Sequence, residues 1–136
     1  MPPVSPRDGL GDLIGLEYLE LKPHSARARV AVSDDLRQPA GLVHGGVYGA
    51  IAESLCSRAT HEAVTADGMV AMGQSNQATY LRPVSGGHVN ATATARHRGR
   101  TTWIWDVELE DDDARTCALV RIIIAVRPAK PPRPGR

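Results

Sequence analysis

Apolar and polar residues alternate along several segments of the chain, a pattern typical of strands that bury one face. The alternation is clearest over 88–95 and over 101–110, where Trp103 and Trp105 share the apolar side. Successive side chains of a strand point to opposite faces, so each segment would place its apolar half in a core. Strand-like composition also marks the segments 14–22, 26–32, 69–81 and 116–126.

One segment has helical periodicity instead. Its apolar residues recur at helical spacing, and no proline occurs from Val43 to Thr65. The chain therefore predicts two strands, one helix and about four more strands that follow one another as an antiparallel meander. This is an α+β fold in which the helix fills the concave side of the sheet. The last strand, 116–126, is apolar almost throughout, so we expect both of its faces to be covered.

The length of 136 residues fits a single domain. Proline-rich segments flank it, so we expect a flexible N-terminus over 1–9, the domain over 10–127 and a flexible basic tail over 128–136.

Charge and cysteine content narrow the class of function. A formal net charge of +1 gives no reason to expect nucleic acid or an acidic membrane surface as a partner. No apolar run is long enough to span a bilayer and no secretory signal is recognisable, so we expect a cytoplasmic protein. Cys56 and Cys117 lack metal-ligand spacing and have apolar neighbours, which indicates buried thiols. We expect neither a metal nor a cofactor.

The segment from Gln38 to Ser57 contains the candidate chemistry. Glycines lie where the predicted helix begins, so a ligand carbonyl could approach unpaired backbone N–H groups there. Glu53 lies in the middle of small and apolar residues, which leaves room for a substrate beside its carboxylate. The alternative is that Glu53 faces solvent or pairs with Arg58 or another arginine.

Distance constrains how the helix start and the carboxylate could act together. Gly45 and Glu53 are eight positions apart, about 12 Å along a helix, so they cannot act on one carbonyl group within one chain. If both act on the same carbonyl group, the helix start of one subunit must lie beside Glu53 of another. An antiparallel dimer follows on that condition.

These residues carry a family resemblance. The segment resembles the active site of hotdog-fold acyl-CoA thioesterases of the PaaI-like superfamily, closest to the aryl-CoA branch that includes 4-hydroxybenzoyl-CoA and 1,4-dihydroxy-2-naphthoyl-CoA thioesterases. The matching positions are Gln38, His44-Gly45-Gly46, Ala52-Glu53-Ser54 and Ser57. The resemblance implies a long helix wrapped by an antiparallel sheet, homodimers joined sheet edge to sheet edge, and often tetramers.

The resemblance also implies a role for each residue. Gly45 would polarise the thioester carbonyl through its backbone N–H, and Glu53 of the facing subunit would attack the carbonyl or activate water. Gln38 would orient the thioester or water, Ser57 would support Glu53 or water, and His44 would lie near the thioester or instead cap the helix. The CoA-binding positions it implies are Gly46, Thr79, Arg82, Arg98, Gly99, Arg100 and Thr101, although surface arginines at strand ends are the alternative.

Two other functions compete with an acyl-CoA thioesterase. One is an acyl-CoA sensor without turnover, for which Gln38, Glu53 and Ser57 would be unnecessary. The other is an enoyl-thioester hydratase or dehydratase, whose His-Phe-Pro signature is absent from a chain without any Phe. We expect an aryl or medium-chain acyl group, with Tyr48, Met69 and Met72 either lining its pocket or forming plain core.

Overall fold

Six antiparallel strands form one sheet in the computed structural model, which describes residues 8–130. The sheet order is β1-β2-β4-β5-β6-β3. A helix α2 of 20 residues lies between β2 and β3, and a short helix α1 precedes β1. The bounds are α1 Leu10–Ile14, β1 Glu17–Leu21, β2 Ser25–Ala31, α2 Gly45–Val64, β3 Met69–Tyr80, β4 His88–Arg98, β5 Thr102–Glu110 and β6 Thr116–Pro128.

The predicted α+β architecture is confirmed, with two corrections. The segment predicted as a strand from Ile14 begins as one only at Glu17, because α1 precedes it and ends at Gly15 in the left-handed region with φ 77°. The meander is broken once, because β3 pairs with β6 and not with β4. The chain crosses the concave face of the sheet as α2 before it forms β3, so β3 enters at the far edge. Among residues 8–130, β3 consequently has one strand neighbour and one free edge.

The core lies between α2 and the concave face of the sheet. Ile51 and Leu55 of the helix and Trp105, Ile122 and Ile124 of the sheet are fully buried or nearly so. The prediction that both faces of β6 are covered is wrong for the single chain. No helix covers the outer face among residues 8–130, and Leu119 is 47% exposed there.

Regular structure extends from α1 to the end of β6. Leu10 begins α1, and β6 extends to Pro128, after which the Ala129 N–H donates to the Gly68 carbonyl at 2.9 Å. The expectations of flexibility for 1–7 and 131–136 lie outside the described residues. Over 8–130, no helix combines the length and the apolar composition needed to cross a membrane.

A buried hydrogen-bond chain ties α2 to β5. The Thr60 side chain is completely buried, and its hydroxyl donates to the Cys56 carbonyl at 2.7 Å and accepts from the Trp105 indole N–H at 2.9 Å. The indole N–H has no access to water here, so its hydrogen bond depends on Thr60.

Thr60→Val should lower the free energy of unfolding by about 1–3 kcal/mol, because it keeps the shape of the side chain and leaves the indole N–H buried without an acceptor. Urea unfolding measures the change. Thr60→Ser is the control, because it keeps the hydroxyl and removes only the methyl group. It should lower the free energy of unfolding less than Thr60→Val does. Equal stability of Thr60→Val and the native protein would show that the indole finds another acceptor.

Candidate active site

Helix α2 begins with a histidine cap. His44 has extended backbone angles, φ −62° and ψ 133°, and its Nδ1 accepts from the Gly46 N–H at 2.9 Å. A ring nitrogen that accepts carries no proton, so a neutral His44 ring has its proton on Nε2. His44 thus caps the helix, which was one of the two roles considered for it from the sequence.

Gly45 is the first helical residue, and its N–H donates to no acceptor within residues 8–130. The ring of Tyr80 covers it so closely that a Cβ at Gly45 would lie 2.8 Å from ring carbons. Gln38, Tyr48 and Arg82 line the same cleft. The helix start is therefore an unpaired donor beside polar side chains, as an oxyanion site requires.

Two side chains near Gly45 have defined surroundings. Gln38 Oε1 accepts from the Ala40 N–H, which holds the Gln38 side chain within its own turn. Burial raises the pKa of the Tyr48 phenol to about 12, so this hydroxyl stays protonated at neutral pH. The Tyr48 and Tyr80 ring centroids lie 5.8 Å apart.

Glu53 stands on the surface of α2 where two clefts meet. Gly46, Gly49 and Asn76 line one cleft with it, and Ser57 lines the other. Its Oε1 accepts from Asn76 Nδ2 at 3.2 Å. No ion pair within the described residues involves Glu53.

The alternative partner for Glu53, Arg58, is occupied elsewhere. Its Nε donates to Glu62 Oε1 at 3.0 Å, one helical turn further along α2. The other alternative holds for the single chain, because Glu53 is exposed there. An exposed carboxylate without a cation is available to a ligand or to a second subunit.

Sequence reasoning missed Asn76, which lies in the middle of β3. The available signal was the polar run from Gly73 to Gln77, which interrupts a strand that is otherwise mixed or apolar. Contact with a residue 23 positions away cannot be inferred from that run alone.

The single chain does not bring all predicted site residues together. Gln38, Gly45 and Arg82 share one cleft, whereas Glu53 and Ser57 lie along the helix from it. Thr79 lies on the outer face of the sheet with Leu119 and Arg121, opposite to Glu53. Gly46 lies in the same cleft as Glu53. A separate cleft at the C-terminal end of α2 contains Arg98, Gly99, Arg100 and Thr101.

That separate cleft is rich in arginine. Arg98 and Arg100 line it together with Arg127, which the sequence reasoning did not select. Arg127 donates to the Thr101 carbonyl at 2.6 Å, and the Arg98 guanidinium lies 6.0 Å from the Trp103 ring centroid. A cleft lined by three arginines is suited to phosphate.

Residues predicted to line an acyl pocket have different surroundings. Tyr48 is buried in the core and also lines the cleft of Gly45. Met72 is 52% exposed on β3, and Met69 lines the arginine-rich cleft.

Cysteine chemistry is disfavoured by burial. Cys56 and Cys117 are both buried, as predicted, and burial raises the pKa of the Cys56 thiol well above its usual value and that of Cys117 to about 11. Both thiols stay protonated at neutral pH and are poor nucleophiles. Among residues 8–130, no three His, Cys, Asp or Glu side chains are grouped as metal ligands would be.

Comparison with known proteins finds a family and several relatives. Residues 40–118 match the model of the Thioesterase superfamily. The proofreading thioesterase EntH of Cronobacter turicensis is 34% identical, over 83% of this chain and 82% of its own. The 1,4-dihydroxy-2-naphthoyl-CoA hydrolase of Listeria monocytogenes is 31% identical, over 88% of this chain and 96% of its own. A mutant thioesterase from Pseudomonas aeruginosa, a solved structure, is 36% identical with a TM-score of 0.83, covering 88% of this chain and 86% of that one.

Proposed function

This chain belongs to the thioesterase superfamily, and on that premise we propose that it hydrolyses an aryl- or medium-chain acyl-CoA to the free acid and CoA. Its hotdog fold and its reaction class, thioester hydrolysis, are those predicted from the sequence. In the proposed mechanism Glu53 is the nucleophile or the general base. The Gly45 N–H of a facing subunit polarises the carbonyl, and CoA leaves as the thiolate.

The observation that carries this proposal is the Glu53 carboxylate itself. It stands at a cleft without a cationic partner in the described chain, and its Oε1 accepts from Asn76 at 3.2 Å. A carboxylate needed only to stabilise the helix would be expected to pair with a cation, as Glu62 does with Arg58. Gly46, Gly49 and Ala50 beside it present no side chain larger than a methyl group, which leaves space for a thioester.

The site is proposed to be shared between two chains. Gly45 and Glu53 lie in different clefts of one chain, about 12 Å apart along α2. An antiparallel neighbour could place its Gly45 beside this Glu53. The free edge of β3 supports such a partner, because twelve residues of exposed strand edge are a ready surface for pairing with a second copy.

The same antiparallel arrangement gives CoA a path. Arg82 lies in the Gly45 cleft, and the cleft of Arg98, Arg100 and Arg127 lies at the end of α2. From Glu53 to Val64 the helix advances about 16 Å, which the extended pantetheine arm can span. We therefore assign the CoA phosphates to the arginine-rich cleft of the subunit that supplies Glu53. The pantetheine is assigned to the neighbourhood of Arg82 in the subunit that supplies Gly45.

An aromatic acyl group is favoured by a relative. The Listeria monocytogenes protein is named as a 1,4-dihydroxy-2-naphthoyl-CoA hydrolase, so its acyl group is a hydroxylated aromatic ring. The cleft on the Ser57 side of Glu53 also contains Tyr18, Arg58 and His61, which could contact ring hydroxyls.

The proposal predicts a substrate order. Thiol release should be measured with 1,4-dihydroxy-2-naphthoyl-CoA, 4-hydroxybenzoyl-CoA, hexanoyl-CoA, decanoyl-CoA and palmitoyl-CoA. We expect kcat/KM for the best aryl or medium-chain substrate to exceed that for palmitoyl-CoA by about tenfold or more, because a pocket closed by a partner chain limits acyl length.

Each competing function predicts a different result. Binding of these acyl-CoAs without thiol release would favour the sensor. Hydration of an enoyl-CoA without thiol release would favour the hydratase. Equal rates across the whole panel would contradict the proposed acyl preference but not thioester hydrolysis.

A further inference from the structure

Strand β3 contains a bulge directly beside Glu53. Gly73 pairs with Ile124 and Ser75 pairs with Ile123, so Gln74 is an extra residue without a partner on β6. A bulge of this kind reverses the alternation of side chains beyond it and can redirect a side chain.

The reversal brings Asn76 to the helix. On the N-terminal side of the bulge Gly73 faces α2, since a Cβ there would lie 2.8 Å from Glu53 Oε2. Beyond the bulge Asn76, Ala78 and Tyr80 line the cleft beside α2. Gln77 and Thr79 line the outer face of the sheet. Regular alternation from Gly73 would have put Asn76 on that outer face and Ser75 toward the helix.

The amide of Asn76 then bridges two points on the helix. Its Nδ2 donates to the Gly49 carbonyl at 3.0 Å and to Glu53 Oε1 at 3.2 Å. The other carboxylate oxygen, Oε2, lies close against the backbone at Gly73. The carboxylate of Glu53 is thus held at Oε1 by the amide of Asn76, while Oε2 lies near Gly73 of the same strand.

We propose that Asn76 is a positioning residue for Glu53 and that the bulge at Gln74 is the device that delivers it. The inference rests on the proposed function of Glu53. A carboxylate on an exposed helix surface would otherwise sample several rotamers, and only some of them point an oxygen at the thioester carbonyl. The amide donor selects one orientation of the carboxylate. Because the amide is neutral, it does not offset the negative charge of Glu53, whereas an arginine in its place would.

Asn76→Ala should lower kcat by about 10- to 100-fold, because a reacting group displaced by about 1 Å loses on this scale. KM for the best acyl-CoA of the panel should stay near the native value, because Asn76 acts through Glu53 and not on CoA. Asn76→Asp keeps the shape but replaces the donor by an acceptor, so it should lose at least as much. It also carries the test if Asn76→Ala proves unstable.

Gln77→Ala is the matched control, since it truncates the next side chain on the same strand but on the outer face of the sheet. It should keep kcat within about twofold of the native value. Thermal unfolding and oligomeric state are measured for every variant, so that a loss of fold is not read as a loss of positioning.

A comparison with Glu53→Gln separates the two levels of the proposal. Native kcat in Asn76→Ala beside an inactive Glu53→Gln would overturn the positioning role and leave the proposed function intact. A loss in Asn76→Ala that appears only as a raised KM would also overturn it. Native rates in Glu53→Gln would overturn both.

Discussion

Glu53→Gln should lower kcat for the best acyl-CoA by about 10²- to 10⁴-fold, the range that a positioned catalytic carboxylate contributes. The amide has the size of the carboxylate and its Oε1 can still accept from Asn76, so the geometry at β3 is kept. What it loses is the negative charge that attacks the carbonyl or takes a proton from water. The measurement is thiol release under saturating substrate.

Glu62→Gln is the control for this prediction. Glu62 lies on the same helix, but its carboxylate pairs with Arg58 and not with β3. Exposed ion pairs contribute little to stability, so Glu62→Gln should keep native rates and nearly native unfolding. Titration with a non-hydrolysable acyl-CoA analogue should show that Glu53→Gln still binds. A Glu53→Gln variant that turns over at the native rate would remove Glu53 from the mechanism.

The parts of the site that lie within one helix could be predicted from the sequence. The glycines at the start of α2 and the carboxylate two turns later are separated by a fixed rise per residue. Their spacing therefore predicts that one chain cannot bring the two groups to the same carbonyl. The alternating segments gave β4 and β5 within a few residues for the same reason, since a period of two is a local property.

The contacts between distant segments could not be predicted in this way. Asn76 reaches Glu53 only because Gln74 is inserted into the ladder, and a bulge depends on the pairing partner β6 as much as on its own strand. The pairing of β3 with β6 depends on the path of α2 across the sheet, which no single segment encodes. Arg127 joins Arg98 and Arg100 for the same reason, because β6 returns beside the β4–β5 turn.

Two inactive variants should recover activity when they are combined in one dimer. The first is Glu53→Gln. The second is Gly45→Pro, which deletes the backbone N–H proposed to polarise the carbonyl. Gly45 is the first helical residue, where proline is tolerated, and His44 already has the extended angles φ −62° and ψ 133° that suit the residue before a proline. Loss of one such donor should cost about 10²- to 10³-fold in kcat. Gly45→Ala is the control, because it also adds a Cβ beneath Tyr80 but keeps the N–H. The difference in kcat between the two variants therefore measures the effect of the N–H donor.

Co-expression of the two variants with different affinity tags allows the mixed dimer to be purified. If the site takes Gly45 from one chain and Glu53 from the other, this dimer has one intact site and should show about half of the native rate. A chain with both substitutions, paired with a native chain, should then be inactive, because each of its two sites is damaged once. A site formed within a single chain predicts the reverse for both dimers. The pair of measurements therefore decides whether catalysis is shared between subunits, independently of which acyl-CoA is the natural substrate.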